Sequence, residues 1–241
     1  MLRENRRTHM RLCTLVAIAA AAAAHAEYRE APVAGAGTIS GKITFNGRHP
    51  IVKTVQVTKD PRVCGSTREE DSWEVAADGG VKNVVVYLTD IQAGKKFDTA
   101  AQPVLDQKGC HYVPHVQVVA VHATLQVKSG DPILHNVHSF LNGTTVINFA
   151  MPPRPGLILS KKLDKPGGQQ LKCDVHSFMR GGIFVADNPY FAITGADGTF
   201  TIDGVPPGTY TIATWHEEGG PLSDTVTVPQ SGSIVWNGKI R

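Results

Sequence analysis

The chain has 241 residues, a formal net charge of +3, 41% hydrophobic residues and four cysteines, enough for one large core or two small ones. That composition excludes a disulfide-dense mini-protein, a collagen and a disordered tail. Arg3, Arg6, Arg7 and Arg11 against Glu4 give the first 26 residues a net +3, so the remainder is neutral and gives no electrostatic reason for a nucleic-acid partner or an anionic membrane.

Basic residues up to Arg11 precede the apolar run 12–24, and Ala24-His25-Ala26 puts small residues at the two positions a signal peptidase reads. Residues 1–26 therefore read as a secretory signal cleaved after Ala26. The run is shorter than the about 20 apolar residues of a membrane span, and polar Glu27, Arg29 and Glu30 follow it. A periplasmic or secreted protein without stable membrane insertion is expected. Cys13 leaves with the signal, and Cys64, Cys110 and Cys173 remain. An odd number in an oxidising compartment means that one thiol needs a use.

No segment beyond Ala26 sustains helical periodicity, whereas short β-branched and aromatic runs recur between Gly, Pro, Asn and Asp. The fold class is all-β. Strands are expected at 38–45, 52–57, 81–88, 116–121, 125–127, 137–140, 183–185, 191–194, 199–202, 209–214 and 224–228. So many short strands suggest two sandwiches rather than one barrel. Near the end, Asp197-Gly198 joins two alternating strands and Pro206-Pro207-Gly208 turns into the next.

Thr38-Ile39-Ser40-Gly41-Lys42-Ile43 together with Asp197-Gly198-Thr199-Phe200 and Pro206-Pro207-Gly208-Thr209-Tyr210 resembles the carboxypeptidase regulatory-like module, a small transthyretin-like β-sandwich. By that resemblance 81–88 is the middle strand, and the hairpin should follow it after a short loop. Roughly a hundred residues intervene, far beyond ordinary loop lengths. The expected organisation is thus an outer sandwich from 27–97 plus 190–241, with a second domain, 98–189, inserted into it.

Within the insert, Ser129-Gly130-Asp131 and His135-Asn136-Val137-His138 are followed by Cys173-Asp174-Val175-His176-Ser177-Phe178-Met179. Together they offer a thiolate, two imidazoles and a thioether. The pattern resembles the cupredoxins, Greek-key β-sandwiches that hold copper. The short Cys-x-x-His-x-x-Met loop is similar to that of amicyanin, while plastocyanin-type loops are two residues longer. The resemblance implies one type 1 copper held by His135, Cys173, His176 and Met179, with Asn136 tying the two ligand loops together. A trigonal thiolate and imidazole set with a long axial Met suits both Cu(I) and Cu(II).

His138 lies three positions from His135 on a strand, so it should face the other way and serve structure. Asp174 and Val175 stand where amicyanin-type loops carry a hydroxyl residue and a proline. The carboxylate of Asp174, next to the ligating thiolate, is expected to stabilise Cu(II). Met151, in Phe149-Ala150-Met151-Pro152-Pro153, reads as part of an apolar loop. His49, His122 and His216 stand alone in the sequence.

Once Cys173 is committed to the metal, Cys64 and Cys110 are left as a pair that could staple outer and inserted domains. The alternative is a second metal site from Cys110, His111 and His115, although no zinc-like cysteine pair accompanies them. The resemblance implies an exported electron carrier, not an enzyme. Redox protein partners would dock on a patch around a partly exposed His176, with Phe178, Met179, Pro152 and Pro153. Two other readings are a copper-binding carrier, and an adhesion or carbohydrate-binding sandwich with a secondary copper site. The latter calls for an aromatic platform, and Trp73, Trp215 and Trp236 are scattered in sequence. The His-x-His pairs of multicopper oxidases are absent from the sequence.

Overall fold

The computed structural model describes residues 27–48, 50, 53–69 and 72–241. The expected signal at 1–26, Cys13 and His49 lie outside them. Among the described residues the one α-helix is the four-residue turn Pro61–Cys64, and all other regular structure is strand. None of the described helices is long and apolar enough to cross a membrane.

The strands form two pairs of larger sheets. In the first pair, a five-stranded sheet runs in the order Thr144–Met151, His135–Leu141, Gly167–Lys172, Arg180–Ala186 and Val116–Ala120. A four-stranded sheet runs Ile158–Lys162, Thr124–Ser129, Val104–Lys108 and His111–Val113. Leu105, Tyr112, Leu125, Val137, Ile147, Leu171 and Ile183 form one core with side chains from both sheets. In the second pair, Phe191–Ile193, Val85–Leu88, Gly208–Trp215 and Leu222–Val228 form one sheet. Thr199–Val205, Gly37–Phe45 and Ser233–Val235 form the other, with Gly238–Ile240 also on Gly37–Phe45. Ile39, Ile43, Val86, Leu88, Phe200, Ile202, Ile212 and Trp236 share its core.

Burial follows position in these layers. Thr199–Val205 faces a core on one side only, and its burial alternates as a half-buried strand should. Arg180–Ala186 is buried from Gly181 onward. One of its faces packs in the first core through Ile183 and Val185, and the other meets Val85 and Trp215 through Phe184 and Ala186. That second contact joins the two pairs of sheets. Trp215 lies so close over Gly168 and Gly182 that an added Cβ would come within 2.0 and 2.4 Å of its ring, so both positions need glycine for space.

Every expected strand coincides with an observed one, in whole or in part, but several observed strands carry little sequence signal. Gly167–Lys172 is rich in Gly and Gln, and its Gln169 is buried against the Ser139 hydroxyl at 2.9 Å. The reading of residues 149–151 as a loop is corrected: they end the strand Thr144–Met151, with Met151 directly opposite His135 in the ladder. Polar residues at the start of that strand conceal its period.

Candidate metal centre

The ligand candidates converge because two strands end side by side. His135 opens the strand His135–Leu141, and Gly167–Lys172 runs antiparallel beside it, with Lys172 opposite His138. Carried on by one and two places, that register brings Cys173 beside Val137 and Asp174 beside Asn136. The segment 173–179 then turns back tightly into Arg180–Ala186. Within it the Met179 N–H donates to the His176 carbonyl at 2.9 Å, and the His176 N–H donates to Cys173 Sγ at 3.4 Å. Asn136 spans the two segments. Its Oδ1 accepts the Asp174 N–H at 3.2 Å, and its Nδ2 donates to Asn148 Oδ1 at 2.8 Å and to the Phe149 carbonyl.

His135, Cys173, His176 and Met179 are all buried. One donor atom from each of His135, Cys173 and His176 lies within 4.8 Å of the other two. The two Nδ1 atoms face each other at 3.1 Å, and Cys173 Sγ lies 3.9 Å from His176 Nδ1. Each imidazole is held from behind by a carboxylate: His135 Nε2 lies 2.8 Å from Asp131 Oδ2, and His176 Nε2 lies 3.0 Å from Asp60 Oδ2. An ionised carboxylate can only accept, so the proton of each neutral ring sits on Nε2. The lone pairs on both Nδ1 atoms are thus aimed at one point.

The electrostatics favour a neutral donor set around a cation. Burial lowers the His135 pKa below the usual histidine range, and the neighbouring His176 adds to this while Asp131 opposes it. For Asp131, burial works against ionisation, but the N–H groups of Cys110 and Gly109 at 2.8 and 2.7 Å, together with His135, hold its pKa below the usual carboxylate range. Burial raises the Cys173 thiol, while N–H groups of His176, Asn136 and Val175 oppose that rise. A bound cation reverses such a thiol by taking it as thiolate.

Two lone pairs facing each other repel unless they share a proton or a metal. Both nitrogens can reach one ion at the usual bond lengths of about 2.0–2.1 Å, and a thiolate with a thioether adds the soft character copper favours. The residues present therefore fit copper. Met179 and Met151 are both buried in the same core.

The other site candidates fall elsewhere. His138 faces away from this centre, with Nδ1 3.0 Å from Asp174 Oδ2 and Nε2 2.9 Å from the Thr145 hydroxyl. Cys64 and Cys110 form a disulfide. The alternative metal site at Cys110, His111 and His115 is thereby overturned: the sulfur is oxidised, His111 contacts Arg68, and His115 pairs with Glu217. The expected exposure of His176 is also corrected. Its side chain is fully buried, because Asp60 covers its outer edge. Phe178 remains half-buried beside it, with the Arg68 guanidinium 5.7 Å from the ring centroid.

Sequence reasoning missed both carboxylates behind the imidazoles. Asp131 was visible as part of a motif, four residues before His135, and that spacing was its signal. Asp60 lies 116 residues from His176, and nothing local marks it.

A family model described as polysaccharide lyase family 4, domain II, matches residues 172–235, about a quarter of the chain. No curated protein matches the sequence. Among solved structures, similarity is found to a copper-containing nitrite reductase from Thermus scotoductus at 20% identity and a TM-score of 0.31, over 36% of this chain and 22% of that one. A reduced amicyanin variant is similar at 22% identity and a TM-score of 0.32, over 36% of this chain and 83% of its own. A purple cupredoxin from Nitrosopumilus maritimus is similar at 18% identity and a TM-score of 0.31, over 35% of this chain and 100% of its own. The chain thus spans about a fifth of the nitrite reductase, and each likeness is confined to little more than a third of this chain.

Proposed function

We propose that the protein holds one copper ion in a type 1 site and carries single electrons between protein partners. The observation that carries this reading is the pair of Nδ1 lone pairs facing each other at 3.1 Å beside the Cys173 sulfur. Bound copper would supply the one-electron Cu(II)/Cu(I) couple. His135 and His176 through Nδ1, Cys173 as thiolate and Met179 through its thioether would hold the ion. Asn136 keeps the two ligand segments in register.

A carrier is favoured over a catalyst because the four ligands are buried together, which leaves substrate no exposed coordination position. Electron exchange then runs through the surface beside His176, where Phe178 is half-buried with its ring 5.7 Å from the imidazole. A small apolar patch of that kind suits transient docking. The pairing of strands 37–88 with 191–240, around a unit built from 104–186, supports a copper-holding sandwich nested inside a second one. The disulfide supports export to an oxidising compartment.

The test is the visible and electron paramagnetic resonance spectrum of the full chain loaded with Cu(II). An intense thiolate-to-copper absorption, lost in Cys173→Ser, is expected. A colourless protein, or colour that survives the substitution, overturns the reading.

A further inference from the structure

The short helix Pro61–Cys64 stands apart from the strands, and its N-terminal residue is used in an unusual way. Asp60 precedes the helix in the left-handed conformation, φ 53°, and its carbonyl takes the N–H groups of Val63 and Cys64 at 3.0 Å. Its carboxylate, which at such a position ordinarily caps the helix, makes no cap hydrogen bond. It reaches instead to His176 Nε2. The segment is anchored on both sides of that carboxylate, because Val57 and Cys64 are buried in the core that also contains Cys173 and Met179.

The disulfide at the end of the helix completes the connection. Cys64 is bonded to Cys110, and the Cys110 N–H donates at 2.8 Å to Asp131 Oδ2, the same oxygen that holds His135 Nε2. One covalent bridge therefore joins the backbone that carries Asp60 to the backbone that fixes Asp131. The two carboxylates set the two imidazoles.

We propose that Asp60 is a positioning residue for His176, and that the Cys64–Cys110 disulfide clamps the Asp60 and Asp131 supports so that the two imidazoles stay aimed at one metal ion. Carboxylates placed behind metal-binding histidines fix the tautomer and raise the basicity of the ligand, and their loss typically costs about 10–100-fold in metal affinity. Asp60 also closes the outer edge of His176 to solvent. The assignment rests on the copper reading for its metal but not for its tautomer, and the two can fail separately.

The test compares the full chain with Asp60→Asn, Asp60→Gly and the Cys64→Ser/Cys110→Ser double variant. Asn and Gly both tolerate the left-handed backbone, so fold is preserved at position 60. In metal-free protein, long-range proton–nitrogen NMR of the imidazoles should show His176 protonated on Nε2 in the wild type and in Asp60→Asn, and a mixture of tautomers in Asp60→Gly. Chelator competition with Cu(II) should give an affinity loss of about 10–100-fold in Asp60→Gly, a smaller loss in Asp60→Asn, and a loss in the disulfide variant. An unchanged tautomer together with unchanged affinity in Asp60→Gly overturns the role of Asp60. Wild-type affinity in the disulfide variant overturns the clamp. If the wild type takes up no copper, the copper reading fails, while the metal-free tautomers still decide whether Asp60 orients His176.

Discussion

The carboxylate of Asp174 pairs with His138 Nδ1 at 3.0 Å, on the opposite side of the strand from His135. A charge adjacent to the thiolate in sequence is thus engaged elsewhere, and its side chain is 55% exposed. Water and salt screen such a charge. Asp174→Asn should therefore raise the reduction potential of the copper-loaded protein only slightly, and by less than Asp131→Asn, which removes a buried charge in contact with a ligand. Voltammetry of both variants checks this ordering, and a larger rise in Asp174→Asn would refute it.

The Asn136 side chain makes hydrogen bonds that hold the two ligand segments together, while only its backbone N–H meets the Cys173 sulfur. Asn136→Ala leaves the Asp174 N–H and Asn148 Oδ1 without these partners. A part-buried hydrogen bond of this kind contributes about 0.5–1.5 kcal/mol. Metal-free Asn136→Ala should lose stability in that range in urea, and its copper should exchange faster with a chelator than in the wild type. Equal stability and equal exchange would show that the segments are registered by the strand ladder alone.

Met179 sits in the ligand turn, whereas Met151 lies across the ladder from His135 in the same core. Only the first is assigned to the metal. Met179→Leu should change the absorption and the potential of the copper protein, because the axial donor tunes both. Met151→Leu conserves volume, so it should cost less than about 1.5 kcal/mol and leave the spectrum unaltered. The reverse result would move the axial role to Met151.

The two methionines also show where sequence reading reaches its limit. The convergence of His135, Cys173 and His176 was legible because the donor types lie within two short motifs, and one tight turn carries both Cys173 and His176. Alternating strands such as Thr199–Val205 were legible because one face is wet. Gly167–Lys172 was not, because its stability comes from pairing on both edges and from a buried Gln169 rather than from an apolar period. Asp60 and the His115 to Glu217 pair were hidden for a different reason. Their partners lie more than a hundred residues away, and only the completed sheets bring them together.

His216, just past the strand Gly208–Trp215, gives the fold a pH dependence of its own. Its ring stacks on Trp73 with centroids 4.3 Å apart, and its Nδ1 accepts the N–H groups of Glu218 and Gly219 at 3.3 and 3.1 Å. Burial, with a further contribution from His115, pushes its pKa down to about 4 from the ordinary histidine value of 6.5. Between those two values the unfolded chain binds the proton that the folded chain refuses, so stability rises with pH across that window and is level above it. On going from about pH 7 to pH 4.5 the folded state should lose about 2 kcal/mol from this residue alone. In His216→Asn the side-chain Oδ1 can take the place of Nδ1 as acceptor, and the titration is gone. Urea unfolding of the metal-free protein at both pH values should therefore show a smaller acid loss in the variant than in the wild type. Equal losses would mean that His216 takes up its proton without disturbing the fold.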